Sequence, residues 1–177
     1  MNVFIASSAR EDLDQKIVKK CEELLDKISS IKDLDLVYGS YNHGIMKISH
    51  DAFKKNNKKI HGITIEVFKD EKGTEDTLIK ETTFDRLKEA YKTSDIMLII
   101  PGGIGTLSEL FAFLEEMKND NNDKKLILYN PNLFYKDLIN FLYELYKQKF
   151  ILSPPSEYML ISSEVDEIVN YIESLRR

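Results

Sequence analysis

With a single cysteine, Cys21, in 177 residues, the chain can form no internal disulfide and no multi-cysteine zinc site. Cys21 falls on the stripe Ile17, Cys21, Leu24, Ile28 and reads as a small core residue. An excess of positive charge is missing too. Lys and Arg number 25 against 30 Asp and Glu, a net charge of −5, which excludes a broad nucleic-acid-binding face. The one local cluster, Lys54-Lys55-Asn56-Asn57-Lys58-Lys59, is interleaved with Asn and reads as a solvated helix end. Long apolar runs are lacking: the longest, Ile96 to Ile100, is far too short to span a bilayer. The stretch Met1 to Ala6 has no basic leader, so a soluble, cytoplasmic protein with no membrane partner is expected. The three histidines, His43, His50 and His61, show no ligand spacing, and no metal or cofactor is expected. No linker, repeat or low-complexity segment divides the chain, so one domain over residues 1–177 is expected.

What is present is a globular balance, 42% hydrophobic and 31% charged. Short apolar runs alternate with helical patterns. Strands are expected at Val3–Ala6, Leu34–Tyr38, Ile60–Val67, Ile96–Ile100, Lys125–Tyr129 and Tyr158–Ile161. Helices are expected at about Asp12–Ile28, Gly44–Lys55, Thr83–Thr93, Gly105–Met117, Tyr135–Lys149 and Val165–Leu175. Lys69 to Lys80 reads as a loop, and so does the polar run Asn119-Asp120-Asn121-Asn122-Asp123. This alternation predicts an α/β fold, a Rossmann-like, doubly wound and mostly parallel sheet with helices on both faces. Ile96 to Ile100, apolar throughout, fits a central strand buried on both sides. Ligands in such sheets bind where strands end and helices begin, after Ala6, Tyr38 and Ile100.

The last of these turns is the most informative. Pro101-Gly102-Gly103-Ile104-Gly105-Thr106-Leu107-Ser108-Glu109 places three glycines in four positions ahead of a helix. The backbone can turn sharply and approach a ligand there, while the helix start offers free N–H groups and the positive end of its dipole to a phosphate. The same letters also spell a capping box, Thr106-x-x-Glu109, in which the two residues satisfy each other's helix-end donors. Spacing alone leaves both readings open.

Pro-Gly-Gly-x-Gly-Thr-x-x-Glu resembles the signature of the LOG-type phosphoribohydrolases, which cut the N-glycosidic bond of nucleoside 5′-monophosphates, cytokinin riboside monophosphates being the best-known substrates. The resemblance extends over nearly the whole chain. Val3-Phe4-Ile5-Ala6-Ser7-Ser8 is similar to the family's first strand and Ser-Ser turn. Val37-Tyr38-Gly39 with Gly44-Ile45-Met46 resembles its second phosphate-side loop. Arg86 stands where the family carries a catalytic arginine, and Asn130 to Tyr135 and Phe150 to Pro154 match its C-terminal pattern. The resemblance implies Glu109 and Arg86 as catalytic residues. It implies Ser8, Gly39, Gly44, Met46, Gly102, Gly103, Gly105 and Thr106 as the phosphate- and substrate-binding set. A carboxylate beneath the anomeric carbon would stabilise the positive charge that develops on the sugar and orient or deprotonate water. A homodimer with the site near the interface is implied as well; the aromatics Phe134, Phe141, Tyr143 and Tyr146 suit core packing in part and a subunit interface in part.

Three departures bear on substrate choice: Tyr41 where glycines are usual, Leu87 where a lysine follows the arginine, and Lys47 where another glycine is common. Gly39 to Gly44 has the glycine spacing of a P-loop, but Ile45-Met46 follows where Lys-Ser or Lys-Thr is required. Ser7-Ser8-Ala9-Arg10 after the first strand lacks the dinucleotide fingerprint, so NAD is not expected. Relatives have carried the label lysine decarboxylase, a chemistry needing pyridoxal phosphate and a Schiff-base lysine that no residue pattern here supports. A non-catalytic nucleotide- or cofactor-binding protein on the same fold, with Glu109 only a cap, is the alternative to an enzyme.

Overall fold

The computed structural model describes residues 1–119 and 123–176. The first half of the chain gives β1 (Asn2–Ala6), α1 (Gln15–Ser29), β2 (Asp35–Tyr38), α2 (Gly44–Lys55) and β3 (Ile60–Ile65). A 3₁₀ turn (Glu66–Glu71), β4 (Thr77–Lys80) and α3 (Thr83–Thr93) follow. Then come β5 (Ile96–Ile99), α4 (Ile104–Asn119), β6 (Lys125–Tyr129), a 3₁₀ turn (Pro131–Leu133) and α5 (Lys136–Lys147). The short α6 (Pro155–Tyr158), β7 (Leu160–Ser162) and α7 (Val165–Ser174) complete the order.

The seven strands form one sheet in the order β4-β3-β2-β1-β5-β6-β7, and every neighbouring pair is parallel. This is the Rossmann-like α/β architecture expected from the β-α alternation. Alternation of side chains along each strand divides the core in two. Val3, Ile5, Leu36, Tyr38, Leu98 and Tyr129 pack with Leu24 of α1, Phe53 of α2 and Ile168 of α7 on one face. Phe4, Ala6, Val37, Met97, Ile99 and Leu128 turn to the other, against Tyr91 of α3, Phe113 of α4 and Leu142 of α5. Phe4 meets Phe113 edge-on at 5.3 Å. Each such large apolar side chain contributes about 1.5–3 kcal/mol on full burial, which is why β1 and β5, covered on both sides, carry no polar residue facing either layer after Asn2. Cys21 is fully buried in the first layer, and burial pushes its thiol up to about 12.

Several boundaries differ from expectation. Lys69 to Lys80 is not a loop: β4 lies within it and pairs with β3 from Gly62 opposite Thr77 to Ile65 opposite Lys80. As an edge strand β4 has one neighbour, and Leu78 and Ile79 stay 47% and 42% exposed, so no continuous apolar run marks it. The strand expected over Ile60–Val67 stops at Ile65, where the 3₁₀ turn begins. The last strand starts at Leu160, because Pro155 at the first turn of α6 favours a helix that takes in Tyr158. α1 starts after Asp14, whose side chain accepts the Lys16 N–H at 2.8 Å. Of the polar run expected as a loop from Asn119 to Asp123, residues 120–122 lie outside the described residues. Among the described residues no helix is long and apolar enough to cross a membrane.

Candidate active site

The chain winds outward from β1 through β2 and β3 to β4, then returns to pair β5 on the other side of β1. Adjacent strands at such a reversal send their following segments to opposite faces, which opens a crevice at their C-terminal ends. A cavity of about 520 Å³ lies there, within the range of small-molecule sites. Ser7, Ser8, Ala9 and Arg10 after β1 form one side, with Leu13, Asp14 and Ile17 leading into α1. Pro101 to Thr106 after β5, Glu109 of α4, Arg86 of α3, Ile45 and Met46 of α2, and Phe134 complete the lining.

α4 begins at Ile104, three residues earlier than a Thr106 cap requires, with the Leu107 N–H donating to the Gly103 carbonyl at 3.0 Å. The capping box is therefore not formed. Thr106 is already helical and buried, and Glu109 bonds elsewhere. Ile104, Gly105 and Thr106, whose N–H groups are unpaired within the helix by its geometry, all line the cavity. The glycines have distinct tasks. A side chain on Gly102 would collide with Thr106, so its absence lets the turn fold onto the helix. At Gly103 and Gly105 a Cβ would meet no atom within 4 Å, so these two leave open space in front of the N–H groups.

Glu109 is 2% exposed, one turn further along α4. Arg86 donates from Nη2 to its Oε1 at 2.7 Å, and the Arg86 side chain is itself 15% exposed. Oε2 has no hydrogen-bond partner among the described residues. Burial pushes the Glu109 carboxyl above its ordinary value, and the Arg86 charge offsets only part of that rise. The pair joins elements far apart in the chain. Thr82, whose hydroxyl accepts the Asp85 N–H at 3.1 Å, starts α3 so that Arg86 falls in its first turn, facing α4.

The other expected residues divide into those on the cavity and those behind it. Ser8 and Met46 line it; the Ser8 hydroxyl accepts the Arg10 N–H at 3.1 Å, and its carbonyl takes the Met46 N–H at 3.2 Å. Gly39 and Gly44 are not among the lining residues. Gly39 leaves room for Met46, 3.2 Å from where its Cβ would sit, and for Arg86. Gly44 has φ +57° and lets the start of α2 press against the backbone of Ala9 and Arg10. Tyr41 does not narrow the cavity: it packs against Phe68 at 5.3 Å and His43 at 5.9 Å on the neighbouring surface. Leu87 points into the protein, 7% exposed, rather than toward the site.

Ser7, Arg10 and Phe134 are lining residues that sequence reasoning did not single out. The Ser7 hydroxyl is buried without a hydrogen-bond partner, which makes it a donor free for a bound group. The doublet Ser7-Ser8 was the available signal, and only strand register decides which hydroxyl remains unengaged. No group of three His, Cys, Asp or Glu that could hold a metal occurs among the described residues.

The family model described as "Possible lysine decarboxylase" matches residues 46–172. The chain is 28% identical over 176 residues to the cytokinin riboside 5′-monophosphate phosphoribohydrolase LOG1 of Arabidopsis thaliana, covering 97% of this chain and 81% of that one. It is 26% identical over 181 residues to LOG5 of the same plant, covering 98% and 77%. Among solved structures it is similar to the molybdenum cofactor binding protein from Rippkaea orientalis, with TM-score 0.71, 18% identity and coverage of 99% and 97%. It is also similar to the molybdenum cofactor carrier protein from Chlamydomonas reinhardtii, with TM-score 0.74, 13% identity and coverage of 98% and 96%. At these identities the structural likeness is one of fold. A glycine-framed helix start facing an Arg-paired buried carboxylate, on a chain matched by that family model over most of its length, leads to one assignment: the chain belongs to the LOG family.

Proposed function

We propose that the protein hydrolyses the N-glycosidic bond of a nucleoside 5′-monophosphate, such as AMP or a cytokinin riboside monophosphate, releasing free base and ribose 5-phosphate. The observation that carries this reading is the placement of Glu109, buried and bonded to Arg86 at 2.7 Å, one helical turn beyond the helix start, Ile104 to Thr106, that lines the cavity. A phosphate held by those N–H groups and by Ser7 and Ser8 sets the sugar over the carboxylate. As the C1′–N bond lengthens, positive charge grows on the sugar and the Glu109 carboxylate stabilises it. Water adds to C1′ and yields a proton to Glu109, and that proton passes on to the departing base nitrogen, so C1′ gains the hydroxyl, the base gains the hydrogen and the carboxylate is regenerated. Arg86 holds one carboxylate oxygen, and its charge opposes the rise that burial imposes on the acid.

The named LOG relatives support hydrolysis. The fold shared with molybdenum cofactor carriers supports a second reading, a carrier that binds without turnover. Chromatography of reactions with a panel of nucleoside monophosphates separates the two. Free base in equal amount to ribose 5-phosphate is the expected result; ligand-induced thermal stabilisation with no free base from any member of the panel would establish the carrier instead. We read the protein as a homodimer, because Phe111, Phe150 and Leu152, 44%, 74% and 92% exposed, line one apolar groove beside α4 and α5, a patch suited to a second subunit.

A further inference from the structure

The segment between β6 and α5 reaches back to the glycine turn. Asn130 follows β6 with its N–H on the Ser162 carbonyl at 2.8 Å, and its Oδ1 accepts the Tyr135 N–H at 2.6 Å. Between them Asn132 and Leu133 both have left-handed backbone, φ +52° and +59°. Neither is glycine, so the segment holds a strained conformation that its surroundings over-determine. The outcome is the position of Tyr135. Its side chain is 4% exposed, and its hydroxyl donates to the Ile100 carbonyl at 2.9 Å. Burial pushes the phenol above its ordinary value, and the Gly102 backbone opposes part of that rise. The hydroxyl thus holds the peptide carbonyl that leads into Pro101 and the glycine turn. Phe134, packed edge-on against Tyr135 at 4.8 Å, carries the same segment into the cavity wall.

We propose that Tyr135 is a positioning residue: its hydroxyl clamps the Ile100–Gly102 turn and so fixes the direction of the N–H groups at the start of α4. This rests on the phosphate-binding reading of that helix start. Among the described residues no other side chain hydrogen-bonds the backbone of residues 100–102. Pro101 donates no hydrogen bond, and Gly102 has the widest conformational range of any residue. Without the clamp, the turn spends part of its time with those N–H groups splayed, and the apparent affinity for phosphate falls by the fraction of molecules that remain competent. A substrate already bound holds the turn closed, so the chemical step is unaffected.

The test is Tyr135→Phe in the full chain, which keeps the ring and removes the hydroxyl. Calorimetry with ribose 5-phosphate should show Kd weakened roughly tenfold, the scale of one lost hydrogen bond, with KM for the nucleotide rising by the same factor. The kcat should stay within about twofold, since the bound state is unchanged. A purely structural role would move the other quantities, lowering Tm and active fraction with KM and Kd unchanged, and that result would overturn the proposal. Asn130→Ala, which loosens the clamp from behind and leaves the phenol in place, should shift Kd in the same direction by less; no shift counts against it. The calorimetric arm needs no turnover, so failure of hydrolysis leaves it standing. If the wild-type protein binds no ribose 5-phosphate, amide exchange at Gly102 and Gly103 decides: faster exchange in Tyr135→Phe supports the clamp, and equal exchange overturns it.

Discussion

Gly102 and Gly103 are neighbours of the same type, yet substitutions at them should fail in opposite ways. At Gly103 an added side chain meets open space, and no left-handed φ penalises it. Gly103→Val should therefore change folding stability by no more than about 0.5 kcal/mol, or about 2 °C in Tm for a chain of this size. The new methyl groups enter the space in front of the Ile104 and Gly105 N–H groups, where a phosphate accepts its hydrogen bonds. Losing two charge-assisted bonds of about 1.5–3 kcal/mol each weakens Kd by about two to four orders of magnitude. At Gly102 a Cβ would lie 2.7 Å from the Thr106 Cβ, so Gly102→Ala should cost about 1–3 kcal/mol of stability through overpacking. Scanning calorimetry gives Tm and titration calorimetry with ribose 5-phosphate gives Kd. A stable Gly103→Val protein that binds ribose 5-phosphate as tightly as wild type would remove the helix start from the site and refute the reasoning.

Glu109→Gln should lower kcat by about 10²–10⁴-fold with Kd for ribose 5-phosphate nearly unchanged, checked by single-turnover kinetics beside calorimetry. The pH dependence follows from the same residue. Burial holds the Glu109 pKa above its ordinary 4.5, so the acid limb of log kcat should lie above pH 4.5. Arg86→Met removes the charge that lowers that pKa and should carry the limb to higher pH; movement toward acid would contradict the assignment. A raised folded-state pKa also means that protonated Glu109 favours the fold below pH 4.5, and that this contribution is lost as pH rises through the folded value. The Tm difference between Glu109→Gln and wild type should accordingly move in the variant's favour from pH 4 to pH 8. Ser7→Ala should leave Tm unchanged or raise it, because the hydroxyl is buried without a partner, while weakening ribose 5-phosphate binding several-fold. A lower Tm with unchanged affinity would show that Ser7 serves packing alone.

The central strands were readable because β1 and β5 are covered by helices on both faces and show unbroken apolar runs. The edge was not readable for the same physical reason in reverse. β4 needs no apolar run, since Leu78 and Ile79 remain half-exposed and its pairing with β3 is carried by backbone. At the site, the glycine turn stood out from local spacing, whereas spacing offered Glu109 only as a cap and its catalytic role came from resemblance. The partnership of Glu109 with Arg86 came from resemblance, because 23 residues separate them and only the sheet brings them together. The roles of Gly39 and Gly44, which make room for Met46, Arg86 and the Ala9–Arg10 backbone, depend on packing between segments. The same is true of Ser7 and Ser8, whose hydroxyls differ only in which neighbour each one meets.

The cavity straddles the seam between β1 and β5, whose residues Val3 and Ile96 are partners in register though far apart along the chain. Neither portion of the polypeptide owns enough of the lining to recognise anything alone. Affinity therefore arises late, once the long loop that returns β5 to β1 has closed, and a partly assembled chain competes poorly for the ligand. Conversely, an occupant works as a rivet through the middle of the sheet. It favours the closed assembly by RT ln(1 + [L]/Kd) and disfavours any fluctuation that parts the two portions, so saturating ligand should slow proteolysis at cleavage points remote from the cavity.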